Sequence, residues 1–165
     1  MLQRTAVRSL GLLTGLGAVS AVILLTGPTA TAAPPAACPA AGPAVTSADG
    51  DGGSCSATGA AGGAAAAYGS GGTARADAAA TSLSLAIAQN GGTATSTAQF
   101  LSGPAAIAVG PGARATTTGE RPGLSLGIAG PGASVDITGT AAPTCTGGPA
   151  FAGDFQTWQG CLSLG

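Results

Sequence analysis

The stretch GGTARADAAATSLSLAIAQN (71–90), followed by GGTATSTAQFLSGPAAIAVG (91–110), PGARATTTGERPGLSLGIAG (111–130) and PGASVDIT (131–138), decides the fold. Successive blocks open alike, with Gly71-Gly72-Thr73-Ala74, Gly91-Gly92-Thr93-Ala94, Pro111-Gly112-Ala113-Arg114 and Pro131-Gly132-Ala133-Ser134. A fixed period of about twenty residues is the mark of a solenoid, in which each repeat stacks on its neighbour. The glycines and prolines then recur because one turn recurs. Glycine supplies a positive φ there and proline fixes the entry to the turn.

Between the turns the chain alternates. Leu83, Leu85 and Ile87 share one face of a strand, and Ser84, Ala86 and Ala88 share the other. A strand of period two buries one face and exposes the other. Ala105, Ile107 and Val109 repeat the pattern, and so do Leu124, Leu126 and Ile128, where the phase moves to a spacing of nineteen. Stacked, these residues predict an apolar ladder, with a bulge or a one-residue turn change absorbing the shift. On the second set of strands Ala133, Val135 and Ile137 alternate, as do Ala113, Ala115 and Thr117. In the block at 91 either Thr93, Thr95 and Thr97 or Ala94, Ser96 and Ala98 point inward. The first block, from Asp51, fits the register loosely as an irregular first rung. Helix competes because alanine favours it, but the breakers leave short segments. Disorder competes because large apolar residues are scarce. The pattern favours an all-β chain, a short parallel β-solenoid of about 20 residues per rung with capped ends.

The 165-residue chain begins with Arg4 and Arg8, then an apolar run from Leu10 to Thr26, then Gly27-Pro28 and the small residues Ala30-Thr31-Ala32. This order reads as a secretory signal peptide over residues 1–32, cut after Ala32. A retained membrane anchor is the alternative, and the run is short for a span. Removing two of five basic residues and none of six acids leaves 3 − 6 = −3. That charge argues against nucleic acid and against a polybasic membrane contact. No stable membrane span is expected after cleavage.

Four cysteines in an exported chain read as two disulfides, with three pairings open. The sequence-local pairing Cys38–Cys55 and Cys145–Cys161 is favoured, because each bridge then staples one end of the repeats. Cys38 alone could instead be a lipid-attachment site. The spacing does not match a zinc site.

Residues 33–50, rich in Ala, Pro, Ser and Thr, read as a linker in which Thr46 and Ser47 are permissible glycosylation sites. Residues 51–142 read as the solenoid repeats. Residues 143–165 depart from the repeat and read as a disulfide-bonded cap with its aromatic side inward. The alternative for this segment is an exposed ligand patch of Asp154, Phe155 and Trp158, suited to sugar or lipid.

Nothing here suggests catalysis. The chain has no histidine, which removes Ser-His-Asp and Cys-His arrangements. It has no lysine to touch a phosphate, and its carboxylates are scattered. Gly71–Asp77 lacks the calcium-binding β-roll spacing, so no metal or cofactor is implied. The threonines at 93, 95 and 97 and at 116–118 could form a flat hydroxyl array, which the β-propensity of threonine also explains.

Ala106-Ile107-Ala108-Val109-Gly110-Pro111-Gly112-Ala113-Arg114-Ala115 resembles the head repeats of trimeric autotransporter adhesins. That likeness is local, repeats imperfectly at Leu126–Val135, and implies a β-roll-like stack. The whole chain looks like small exported Ala/Gly-rich proteins of mycobacteria and related actinomycetes, which implies an envelope or secreted location and no activity. The expectation is a non-enzymatic structural or interaction protein with an unknown envelope or extracellular partner, existing as a monomer or trimer. The alternative is a carbohydrate-binding accessory or adhesin-like surface module.

Overall fold

A computed structural model describes residues 34–165. The signal segment and its cleavage point lie outside the described residues. Among the described residues, fourteen strands form two sheets of seven. Sheet A runs in the order β1 (Ala36–Ala41), β4 (Ala64–Ser70), β6 (Leu83–Gln89), β8 (Ser102–Val109), β10 (Gly123–Ala129), β13 (Pro149–Asp154) and β14 (Gln159–Leu164). Sheet B runs β12 (Thr144–Gly147), β11 (Ala133–Ile137), β9 (Arg114–Gly119), β7 (Thr93–Ala98), β5 (Thr73–Ala78), β3 (Gly53–Gly59) and β2 (Ala44–Gly50). From β3 to β11 the chain switches sheet at every turn, and equivalent strands pair in parallel. This is a parallel β-solenoid of about 4 turns, about 20 residues apart. No helix of the described residues is long and apolar enough to cross a membrane.

Both ends are closed by reversed strands. At the start, β1 pairs antiparallel with β4, and β2 pairs antiparallel with β3. At the finish, β12 and β13 lie antiparallel on the last strands of each sheet, and β14 pairs antiparallel with β13. Reversal ends the parallel stack, so a further rung has no parallel template. Residues 36–50, expected to be a linker, are therefore part of the fold and form its first cap. Their Ala, Pro and Thr composition resembles a spacer only because the whole body is built from small residues.

The core lies between the sheets and is alanine. Ala67, Ala76, Ala86, Ala88, Ala94, Ala106, Ala108 and Ala115 are each fully buried. The expected Leu/Ile/Val ladder forms, but it faces outward from sheet A. Leu83 and Leu124 are exposed, and Leu85, Ile87, Ile107 and Leu126 are half-buried. The reason is steric. The two disulfides cross from one sheet to the other with Cα–Cα separations of 5.9 Å and 5.7 Å. Packed sheets with ordinary side chains stand about 10 Å apart. A gap this narrow admits alanine and excludes leucine. In the block at 91, Ala94, Ser96 and Ala98 are the inward set.

Where sheet B contributes larger residues, sheet A answers with none. Val135, Ile137 and Thr117 are buried. A Cβ on Gly127 would sit 2.9 Å from both Thr117 Cγ2 and Val135 Cγ1. Among the buried hydroxyls, those of Ser84, Ser96 and Ser102 are partnered, whereas those of Thr117 and Ser125 are not. Ser84 Oγ lies 2.8 Å from Ser96 Oγ, which donates to the Pro104 carbonyl at 3.0 Å. Ser102 Oγ donates to the Gly119 carbonyl and accepts from the Gln99 amide.

The phase shift resolves in one turn. Gln89 pairs with Val109, a spacing of 109 − 89 = 20, whereas Thr93 pairs with Arg114, a spacing of 114 − 93 = 21. The extra residue therefore sits between Val109 and Arg114. Downstream, Ile107 pairs with Ile128, so the spacing on sheet A is 128 − 107 = 21 and not the nineteen read from the apolar phase. The Pro111-Gly112 and Pro131-Gly132 turns have glycine at φ +71° and +67°, each closed by a backbone hydrogen bond, from Ala113 N to Gly110 O and from Ala133 N to Gly130 O. Proline followed by a positive-φ glycine is the type II pattern.

Candidate functional site

The outer face of sheet A is the chemically distinctive surface. Cross-strand register places Tyr68, Ile87, Ile107, Ile128, Phe151 and Leu162 in one row across the sheet. A second row contains Ala66, Leu85, Ala105, Leu126 and Gly153, and a third contains Ala64, Leu83, Gly103 and Leu124. Directly opposed β-branched and aromatic pairs of this kind contribute roughly 0.2–1 kcal/mol each. The outward positions of the seven strands carry no Asp, Glu, Lys or Arg. Large contiguous apolar patches are uncommon on the surfaces of monomeric soluble proteins.

Relief on this face comes from residue size. Gly103 leaves space that Leu124 leans into, since a Cβ there would meet Leu124 Cδ2 at 2.7 Å. A shallow groove of about 360 Å³ runs over Ala64, Ala66, Leu85 and Ala105, with Leu83 and Leu124 as its rims. A second, of about 350 Å³, lies toward the other end of the face among Val109, Ile128, Phe151, Leu162 and Leu164.

Sheet B presents the opposite chemistry. Its outward rows run Ser54, Thr73, Thr93, Arg114, Ser134 and then Ser56, Arg75, Thr95, Thr116, Asp136. Arg75 Nε donates to Asp77 Oδ2 at 2.8 Å, an exposed pair of small energetic weight. The molecule is therefore amphipathic across its thickness, with a hydroxyl-rich sheet on one side and an aliphatic sheet on the other.

The C-terminal corner separates the three residues grouped from the sequence. Asp154 is 2% exposed and its carboxylate is used internally. Oδ1 accepts from the Gln156 amide at 3.0 Å, and Oδ2 accepts from the Thr157 hydroxyl at 2.8 Å. Asp154 thus shapes the β13–β14 turn and does not face a ligand. Phe155 and Trp158 are exposed and stack edge to face, with centroids 6.1 Å apart. The expectation that the cap turns its aromatics inward is corrected here, since Phe151, Phe155 and Trp158 all lie at the surface. What ties the cap to the last rung is polar. Gln156 Oε1 accepts from the Glu120 and Arg121 amides at 3.1 Å and 2.9 Å, and the Phe155 amide donates to the Leu124 carbonyl at 3.0 Å. A thin rung of alanines offers no cavity for an aromatic ring.

The four cysteines form Cys38–Cys55, joining β1 to β3, and Cys145–Cys161, joining β12 to β14. Each bridge connects the two sheets at one end of the stack. No group of three or more His, Cys, Asp or Glu side chains among the described residues is placed to hold a metal ion. The sequence reading missed Tyr68, Leu162 and Leu164 as members of the apolar face. Strand alternation at Gln159–Leu164 was the available signal. It also missed Phe100 and Leu101, an exposed pair with φ of +49° and +61° at a rung turn away from this face.

No curated protein and no solved structure matches the chain. A family model matches residues 1–164, and the chain accordingly belongs to the family of unknown function DUF6764.

Proposed function

We propose that this protein is an exported, non-enzymatic interaction module that works in the cell envelope or outside the cell. The observation that carries the reading is the outer face of sheet A, a broad apolar surface whose strand positions carry no charge and which no element of the described residues covers. Two disulfides support an oxidising compartment. The signal-like order of residues 1–32 and the likeness to exported actinobacterial proteins support the same location. The absence of histidine and lysine from the sequence supports binding over catalysis.

A second reading, a carbohydrate-binding accessory or adhesin-like surface module, is favoured by one feature. Trp158 is 84% exposed and held against Phe155, an arrangement on which a sugar ring could stack. Producing the full chain in a secreting host and taking the intact mass of the released form tests the location. The expected product starts at Ala33 and is lighter by four hydrogen atoms, two removed by oxidation at each of the two disulfides. Retention inside the cell with free thiols refutes export. A glycan array probed with the wild type and Trp158→Ala then distinguishes the readings, because only the second predicts glycan binding that Trp158→Ala abolishes.

A further inference from the structure

We infer that the aliphatic face of sheet A is a homodimer interface, on which a second copy of this chain packs face to face. The inference rests on the interaction-module reading and names its partner.

Size is the first argument. Seven strands about 4.8 Å apart, each of six to eight residues at about 3.3 Å, present a face of on the order of 600 Å² in projection. Its corrugated accessible area is larger and approaches the ~800 Å² per partner that a stable dimer buries. Charge is the second. A two-fold interface sets each patch against itself, so any charge near the axis meets its own kind. The outward positions of sheet A carry none, whereas those of sheet B carry Arg75, Asp77, Arg114 and Asp136. Shape is the third. The two shallow grooves, one toward each end of the face, alternate with the ridges of Leu83, Leu124 and Phe151. Sheets packed face to face interdigitate side chains of this uneven size.

Symmetry separates two copies from three. Each chain has one such face, and an isologous pair covers both faces completely. A cyclic trimer needs two different complementary surfaces per chain. The resulting particle has four sheets in the order B, A, A, B, with the hydroxyl-rich sheets outermost. A lipid surface is the less favoured occupant, because the outward strand positions of sheet A carry no arginine or lysine to meet anionic headgroups.

The test is the mass of the oxidised protein recovered from a secreting host, by light scattering from about 1 to 200 µM, for wild type, Ile107→Lys and Thr95→Lys. Ile107 lies mid-face, and Thr95 lies at a comparable position on sheet B. The wild type and Thr95→Lys are expected to be dimers at the upper concentrations. Ile107→Lys is expected to remain monomeric, at least ~100-fold weakened by an unpaired buried charge. Circular dichroism confirms that each variant folds. Leu124→Glu, at a more exposed site on the face, replaces Ile107→Lys if that variant does not. A monomeric wild type, a trimer, or a dimer that survives both face substitutions overturns the inference. The same samples are mixed with neutral phosphatidylcholine vesicles. A wild-type monomer that binds them, and loses binding on Ile107→Lys, overturns the dimer while leaving the interaction role standing. A monomer that binds neither itself nor vesicles overturns the sheet A face as the basis of both.

Discussion

Reversing the usual direction of a core mutation tests which side of each strand is buried. Ala106 and Ile107 are neighbours on β8, the first with no exposed surface and the second on the outer face. Ala106→Leu adds three carbons to a gap already filled by alanine from both sheets. Overpacking usually costs about 1–3 kcal/mol, and with backbone on both sides to be displaced we expect the upper end, about 3 kcal/mol. Ile107→Ala removes three carbons at about 0.8 kcal/mol each if fully buried, or about 1 kcal/mol for a half-buried side chain. The enlarging change inside should therefore hurt more than the truncation outside. Urea denaturation of the oxidised protein, dilute enough to be monomeric, reads both values as midpoint shifts at constant slope. Thermal midpoints should fall by roughly 10 °C for Ala106→Leu and by a few degrees for Ile107→Ala. The opposite order, with Ile107→Ala costing about 2–5 kcal/mol and Ala106→Leu nothing, is what a buried Leu/Ile face requires. That result would refute the orientation of every strand in sheet A, because a one-residue slip turns a whole strand over.

Three further outcomes follow from the ends and the packing. Replacing Cys145 and Cys161 together by serine should cost about 3 kcal/mol, the chain-entropy value for a loop of this length, seen as a lower urea midpoint; no change would mean that the cap holds without its bridge. Gly127→Ala should destabilise by about 1–3 kcal/mol through contact with Thr117 and Val135, and adding Val135→Ala should recover part of that loss, a non-additivity that a double-mutant cycle measures. Trp158→Ala should leave stability within about 0.5 kcal/mol, whereas Asp154→Ala should cost about 1–3 kcal/mol because it leaves the Gln156 amide and Thr157 hydroxyl unpartnered; equal effects in calorimetry would contradict the roles assigned to the turn.

The period, the strands and the turns were legible because they are local. Pro111-Gly112 and Pro131-Gly132 encode a turn in two residues, and β6 alternates without a break. The disulfide pairing was legible because short loops at the two ends are the simplest closure. The candidate site was legible as a set of residues and illegible as a surface. Leu85, Ile107 and Leu126 were recognised as a stacked ladder, but Phe151 and Leu162 join that ladder only through antiparallel pairing of β10, β13 and β14. Asp154 looked like a partner of Phe155 and Trp158, yet its side chain turns inward while theirs turn out.

By itself the sequence determined that the chain stacks in rungs of about twenty residues, that its turns are Gly- and Pro-encoded, and that its ends are cross-linked. Only the tertiary structure decided which face of each strand is inside and that residues 36–50 close the first rung. Alternation with period two is symmetric, since it separates two faces without saying which one meets the other sheet. Hydrophobicity alone sends leucine and isoleucine inward. The spacing between the sheets leaves no volume for them where alanine stands on both sides, and admits Ile137 only where Gly127 stands opposite; that spacing is a property of two stacked layers that no single strand contains.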